Sequence, residues 1–292
     1  MNNQFKKKER VLIGFFLFIP LLLLITFGIL PIIEIVSYSF TSWNGISSYK
    51  TWVGIDNYIQ VLTTPKYFEP FINNLYYFGS GLLQIIIALY FAIILSFNVK
   101  LKSFFKASIV FPTLISGVAI SMMFRMFYTP GGSFDVILTA LGLEKFIHFW
   151  LGDPRFVNFT LAGISLWRHT GLRFLMFYGA IQSIPKEYYK VADIEGASFI
   201  QKVRFIILPN IQTVLKINLI LLTVGAITAF EIPMIMTNGS NGTTTFLLQT
   251  MKTAFEKKQL GLAASMAVII TLVLILLTAI QKKLFGNDEH DA

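Results

Sequence analysis

FINNLYYFGSGLLQIIIALYFAIILSF, residues 71–97, contains no charged side chain. A helix needs about 20 predominantly apolar residues to cross a bilayer, so this stretch is long enough to span a membrane. Working outward, residues 11–33, 107–124 and 259–281 are likewise uncharged. Two further stretches are apolar but interrupted. Residues 156–182 carry Arg168, His169 and Arg173, and residues 206–237 carry Lys216 and Glu231. Together these predict an all-α, polytopic membrane protein with six transmembrane helices, built as a single domain over residues 1–292.

Composition agrees. Of 292 residues, 55% are hydrophobic and 13% charged, against roughly 25% charged in soluble domains. Mean hydropathy is +0.67 and phenylalanine occurs 29 times. Such a chain lacks the charge to cover a water-facing surface, and it is too apolar to be disordered. The absence of cysteine removes disulfides, thiolate metal sites and thiol nucleophiles.

The net charge of +9 raises the question of nucleic acid, which the distribution of the charges answers. If both termini lie on one side, that side holds 13 basic residues: Lys6, Lys7, Lys8, Arg10, Lys100, Lys102, Lys106, Lys186, Lys190, Lys202, Arg204, Lys282 and Lys283. The other side holds seven in longer loops. The positive-inside rule then puts both termini of this multi-pass membrane protein in the cytoplasm. The basic excess is topological, and no nucleic-acid partner is expected. The first apolar run is too long for a cleaved signal peptide and lacks a small-x-small site, so it reads as a retained span.

The usual marks of an enzyme are missing. No glycine precedes a lysine, so there is no phosphate-cradling P-loop. His148, His169 and His290 are scattered, without metal-ligand spacing. No catalytic cluster or metal site is expected, and no cofactor in this chain. Asp193 and Glu195 read as solvated loop carboxylates, and Asp288, Glu289 and Asp291 as a polar tail.

One loop is too long and too ordered for a simple connection. Residues 183–209 read SIPKEYYKVADIEGASFIQKVRFIILP. Pro185 suits a first helical turn, Gly196 suits a helix C-terminus about three turns later, and Pro209 stands at the start of the next span. The pattern is helix, turn, helix, on the cytoplasmic side.

This loop resembles the EAA loop of binding-protein-dependent ABC importer permeases. That pattern has Glu-Ala-Ala, three residues, Gly, nine residues, then Ile-x-Leu-Pro. Gly196, Ile206, Leu208 and Pro209 fall at those spacings, and Lys190-Val191-Ala192 fills the Glu-Ala-Ala slot, with lysine in place of the acid. Ser42-Trp43-Asn44, the stretch from Val53 to Tyr58, Phe230-Glu231, Thr237-Asn238-Gly239 and the stretch from Gly261 to Ser265 resemble carbohydrate-type members, the maltose, glycerol-phosphate and multiple-sugar permeases.

The resemblance implies the type I importer permease fold and a transport subunit that is not itself an enzyme. A second permease would complete the pathway. Two ATPase subunits would hold ATP and Mg²⁺, an extracytoplasmic sugar-binding protein would deliver substrate, and lipid would surround the spans. It implies that residues 186–198 dock on an ATPase, through Glu187, Lys190, Val191, Ala192, Asp193, Glu195, Gly196 and Ala197, with Leu208 and Pro209 closing the motif. By family position, Ser165, Arg168, His169 and Leu172 of the fourth span, with Leu222, Gly225, Ala226 and Ala229 of the fifth, would face the substrate pathway. Trp167 would either stack on a sugar ring or pack against lipid. Glu231, beside an expected helix break at Pro233, would either line the pathway or pair with an arginine.

Charges inside a membrane are costly and usually face a bundle interior or cavity. The cationic first set points to an acidic, uronate-containing saccharide meeting Arg168 or His169. The alternative is that Arg168 or Arg173 pairs with Glu231 or with the partner permease. A different class, an ion-coupled secondary carrier for a small polar solute, would show an inverted repeat, and none is evident.

Overall fold

A computed structural model describes residues 2–286, with side chains described from residue 12 onward; His290 and the acidic tail lie outside it. The chain forms two compact units, Met1–Pro65 with Thr250–Thr271, and Lys66–Gln249 with Leu272–Ala292.

The first unit opens with α1 (Asn2–Leu24) and α2 (Leu30–Ser39), joined by a π-turn at Ile25–Ile29. Pro31 sits in the first turn of α2 and has no N–H to give. The π-turn ahead of it lets the Leu30 N–H reach back to the Ile25 carbonyl. Two short antiparallel strands follow, β1 (Thr41–Ser42) and β2 (Thr51–Trp52), and then α3 (Asp56–Thr63). The sequence motifs here have local jobs. Asn44 Oδ1 accepts the N–H groups of Ile46 and Ser47 at 2.9 and 2.8 Å, which makes the turn after Trp43. Asn57 Nδ2 donates to the carbonyls of Ser39 and Thr41 at 2.8 and 2.9 Å, pinning α3 to the end of α2.

The second unit contains α4 (Pro70–Ser96), α5 (Lys102–Leu114), α6 (Gly117–Phe127), α7 (Ser133–Ala140), α8 (Val157–Gln182), α9 (Lys186–Ile194), α10 (Gln212–Ile227) and α11 (Glu231–Thr237). Helix α12 (Leu260–Phe285) closes the chain's helical order. Helices α4 and α8 pack along each other, with α10 against α4, α5 against α8, and α6 against α11.

Among the described residues, four helical stretches are long and apolar enough to cross a membrane: Leu12–Ser39, Pro65–Ser96, Gln212–Thr237 and Leu260–Phe285. The pair α5–α6 makes a fifth if counted as one span. The remaining expected span, the fourth, is α8, which is not apolar enough to count among these. It is 26 residues long. At a rise of ~1.5 Å per residue that is about 39 Å, enough to cross. The polar residues at its middle set it apart from the other spans.

Two expected spans are not straight. The third, expected as one helix over residues 107–124, is instead α5 and α6, bent by 96°. Pro112 removes a backbone donor near the end of α5, and Ile115 and Ser116 are extended, with ψ of 138° and 137°. The fifth, expected to break near Pro233, breaks earlier, at Thr228–Phe230. Pro233 lies in the first turn of α11, where its missing N–H is harmless.

Broken helices free backbone groups that a membrane interior cannot hydrate, so protein must satisfy them. Asn74 does much of this. Its Nδ2 donates to the carbonyls of Ala226 and Ile227 at 2.7 and 2.9 Å, and its Oδ1 accepts the Phe246 N–H at 3.2 Å. Thr245 Oγ1 donates to the Ala229 carbonyl at 2.6 Å.

The core of this unit has two apolar clusters. One joins Ile85, Ala88 and Ala92 of α4 to Phe174, Phe177 and Ile181 of α8. The other joins Val157, Leu161 and Ile164 of α8 to Tyr77, Ile120, Ala226, Ile232 and Met236. Between them, residues 165–173 of α8 carry a polar band.

Asn74 makes its own test. Asn74→Ala removes the hydrogen bonds to the Ala226 and Ile227 carbonyls and from the Phe246 N–H, each worth about 0.5–1.5 kcal/mol. The melting temperature of the purified protein is expected to fall by several degrees, and amide exchange at Phe246 to accelerate.

Candidate functional site: a polar band at mid-span

At the centre of the band, Arg168 of α8 pairs with Glu231, the first residue of α11. Arg168 NH1 stands 2.5 Å from Glu231 Oε2. The arginine side chain is 19% exposed and the glutamate 37%, so the guanidinium is the better shielded of the two. The pair sits in the crook of the bent span. Thr113 Oγ1, at the end of α5, donates to the Arg168 carbonyl at 2.9 Å. At the start of α6, Gly117 approaches so closely that a Cβ there would overlap both the guanidinium and the carboxylate. Arg168 therefore pairs within the chain, one of the two outcomes the sequence left open.

Arg173, little more than a turn along α8, has different company. Its Nε donates to Gln84 Oε1 of α4 and its NH1 to the Asn218 carbonyl of α10, both at 2.9 Å. Gln84 Nε2 donates in turn to the Ser165 carbonyl at 3.2 Å. No carboxylate lies within ion-pair distance of Arg173 among the described residues. His169 Nδ1 is 2.9 Å from the Ser165 carbonyl. A carbonyl only accepts, so Nδ1 carries the proton, and Nε2 is the ring's free acceptor.

Two cavities open along the band. One, of about 180 Å³, is lined among others by Tyr77, Gln84, Ser165, His169, Arg173 and Asn218. The other, of about 340 Å³, is lined by Arg168, Ala229, Phe230, Glu231 and neighbours. They share Tyr77, Ser165, His169 and Gly225, so they adjoin.

Of the pathway residues named from sequence, Ser165, Arg168, His169, Leu172, Leu222, Gly225, Ala226, Ala229 and Glu231 all line one or both cavities. Trp167 lines neither and packs edge-to-face on Phe124, ring centroids 5.3 Å apart. The set named from sequence omits Tyr77, Gln84, Asn218 and Arg173. Arg173 stands out in the sequence only as a charge that could pair with Glu231, and Tyr77, Gln84 and Asn218 are polar groups within otherwise apolar spans. Among the described residues no three His, Asp or Glu side chains gather to hold a metal.

The residues of the loop over 183–209 form a second candidate site. Helix α9 ends at Gly196, which takes a left-handed φ of +72°. Ala197 N–H donates to the Ala192 carbonyl at 2.8 Å and Gly196 N–H to the Asp193 carbonyl at 3.2 Å. These are the paired bonds of a Schellman end. Ser198 and Gln201 then form a capping box that starts Phe199–Lys202. Asp193 pairs with Lys202 across the turn. The turn is thus fixed from both sides. Tyr188, Val191 and Ile194 are exposed, Ile194 by 84%, and give α9 an uncovered apolar stripe. Glu187, Lys190, Asp193, Glu195 and Gly196 are exposed beside it, with Ala192 and Ala197 half-buried. Of the closing pair, Pro209 is exposed and Leu208 packs into the core.

Comparison with known proteins bears on this arrangement. Residues 84–287 match the family described as the binding-protein-dependent transport system inner membrane component. The chain is 30% identical to the probable ABC transporter permease YurN of Bacillus subtilis over the full length of both. It is 28% identical to the multiple sugar-binding transport system permease MsmF of Streptococcus mutans, covering 92% of this chain and 93% of that one. Its fold matches a crystal structure of a bacterial ABC transporter involved in the import of the acidic polysaccharide alginate. There the TM-score is 0.84 at 16% identity, covering 97% and 98% of the two chains.

The Gly117 approach gives a direct test of the site geometry. Gly117→Ala should separate Arg168 from Glu231. Breaking a buried pair costs about 3–5 kcal/mol, and the partly exposed carboxylate puts this one at the low end. A clear drop in melting temperature is expected, while Gly163→Ala, in open space on α8, should leave it unchanged. Equal melting temperatures for the two variants would contradict the packing described. The full-length similarity and the family match over residues 84–287 account for the loop where an ion-coupled carrier would not: the chain belongs to the binding-protein-dependent transport inner-membrane components, as a permease subunit of an ABC importer and a transport subunit, not an enzyme.

Proposed function

We propose that this chain is one of two permease subunits of an importer for oligosaccharides, and that the saccharide it passes is anionic, of the uronate-containing kind. The observation that carries the anionic reading is Arg173. It is a cation at mid-span, held only by neutral acceptors, on the wall of a cavity. MsmF is named for multiple sugars, and the alginate importer shares the fold. The first supports a saccharide; the second is compatible with an acidic one but, at its low identity, speaks for the fold alone.

In this reading ATP and Mg²⁺ are bound by two separate ATPase subunits, and an extracytoplasmic binding protein delivers the sugar. Both termini are cytoplasmic, which places α9 below the membrane. Its exposed stripe of Tyr188, Val191 and Ile194 would seat in an ATPase groove, where Lys190 meets a carboxylate in place of the family's usual acidic contact. Because the turn at Gly196 is fixed from both sides, movement of α9 would pass into the spans as a rigid displacement. That is what a two-state rocking mechanism requires.

The test is ATPase activity of the complex reconstituted with its binding protein and a panel of neutral and acidic oligosaccharides. Stimulation by acidic sugars is expected. Stimulation by neutral sugars alone would discard the anionic reading and keep the importer.

A further inference from the structure

Resting on the proposed anionic saccharide, we infer that Arg173, and not Arg168 or His169, takes the carboxylate of the sugar, in a subsite completed by Tyr77 and Asn218. Arg168 is already neutralised by Glu231 at 2.5 Å. Arg173 is not. A guanidinium has five N–H donors, and Gln84 and Asn218 each accept from one of Arg173's. The remaining donors lie on NH1 and NH2, the outward fork that meets a carboxylate with two parallel bonds. Gln84 on Nε and the Asn218 carbonyl on NH1 hold the guanidinium from two sides, so it is oriented before any ligand arrives.

The walls of the same cavity carry unpaired polar atoms. Tyr77 is 5% exposed and Asn218 fully buried, yet Tyr77 Oη and Asn218 Oδ1 have no hydrogen-bond partner among the described residues. Buried polar groups are nearly always paired, and an exception calls for a reason. Two of them in residues that line one cavity, beside an uncompensated cation, are explained together by a polar anionic ligand, which reaches the closed-off phenol and amide oxygens as the cavity wall opens. The phenol can donate or accept, the amide oxygen accepts, and His169 Nε2 adds another acceptor. This suits a sugar's hydroxyls around a single carboxylate.

Size limits what fits. The cavity measures about 180 Å³. Small-molecule pockets usually begin at about 300 Å³, so this one holds a single sugar unit. The rest of the saccharide would occupy the adjoining space of about 340 Å³ beside Ala229 and Phe230.

The experiment is direct binding to the purified permease–ATPase complex in detergent, without binding protein. The probes are a uronate trisaccharide and its carboxyl-reduced neutral counterpart. Arg173→Gln is expected to weaken the uronate at least tenfold and the neutral sugar less than twofold. Tyr77→Phe should weaken both to a similar extent. Unchanged uronate affinity in Arg173→Gln, or equal loss for both sugars, overturns the subsite while leaving the anionic reading standing. A wild-type complex that binds only the neutral sugar overturns that reading, and the subsite with it. If Arg173→Gln does not assemble, Arg173→Lys keeps the charge and removes the fork. A selective loss of uronate affinity of several-fold is then expected, and wild-type affinity would overturn the assignment.

Discussion

A guanidinium and a carboxylate neutralise each other inside an apolar bundle, and the irregular parts of the structure are arranged around them. Glu231 can reach Arg168 because the fifth span breaks at Thr228–Phe230 and restarts at Glu231. The third span can embrace the pair because it bends at Ile115–Ser116 and presents Gly117 to it. Asn74 and Thr245 satisfy backbone groups freed at the break of the fifth span, as an apolar surrounding requires, and Thr113 ties the end of α5 to the Arg168 carbonyl. Helix association in a membrane draws little from the hydrophobic effect, since lipid is as apolar as leucine. Close packing and internal polar bonds have to hold the bundle, and these bonds are concentrated at mid-span.

The same band separates two roles for two similar residues. Arg168 is tied into the scaffold, while Arg173 is oriented by neutral partners and keeps its charge. Helix α8 carries both and is linked to α9 by only Ser183, Ile184 and Pro185, with Ile184 buried in the core. The cations and α9 thus lie at the middle and the far end of one short-linked pair of helices. A displacement of α9 would be felt at the cavity wall through α8 without any long flexible segment between them.

Much of this was legible in the sequence. Uncharged runs located the spans, and the spacing of Pro185, Gly196 and Pro209 located the helical loop, because those residues impose backbone geometry wherever they occur. The cluster Arg168, His169, Arg173 marked the band. The bend was not legible. Pro112 lies within an apolar run that is compatible with a straight or kinked helix, and only the contact between Gly117 and the ion pair shows why the chain turns there. Glu231 was a named partner for Arg168 or Arg173, but which arginine it takes was not legible, since it lies 63 positions from Arg168 and pairing across that distance is decided by packing. Arg173, Tyr77, Gln84 and Asn218 were visible singly, but their convergence on one cavity depends on the rotation of three helices, which composition does not encode.

The account depends most on the Arg168–Glu231 pair as the organising contact. A double-mutant cycle tests it: Arg168→Met, Glu231→Met and the two together, each read by thermal denaturation of the purified complex. Leaving the shielded guanidinium alone should cost about 3 kcal/mol and leaving the partly exposed carboxylate alone less, whereas replacing both with apolar side chains should recover most of that loss. A double variant no more stable than the worse single variant would contradict the pair's role and the architecture built around it.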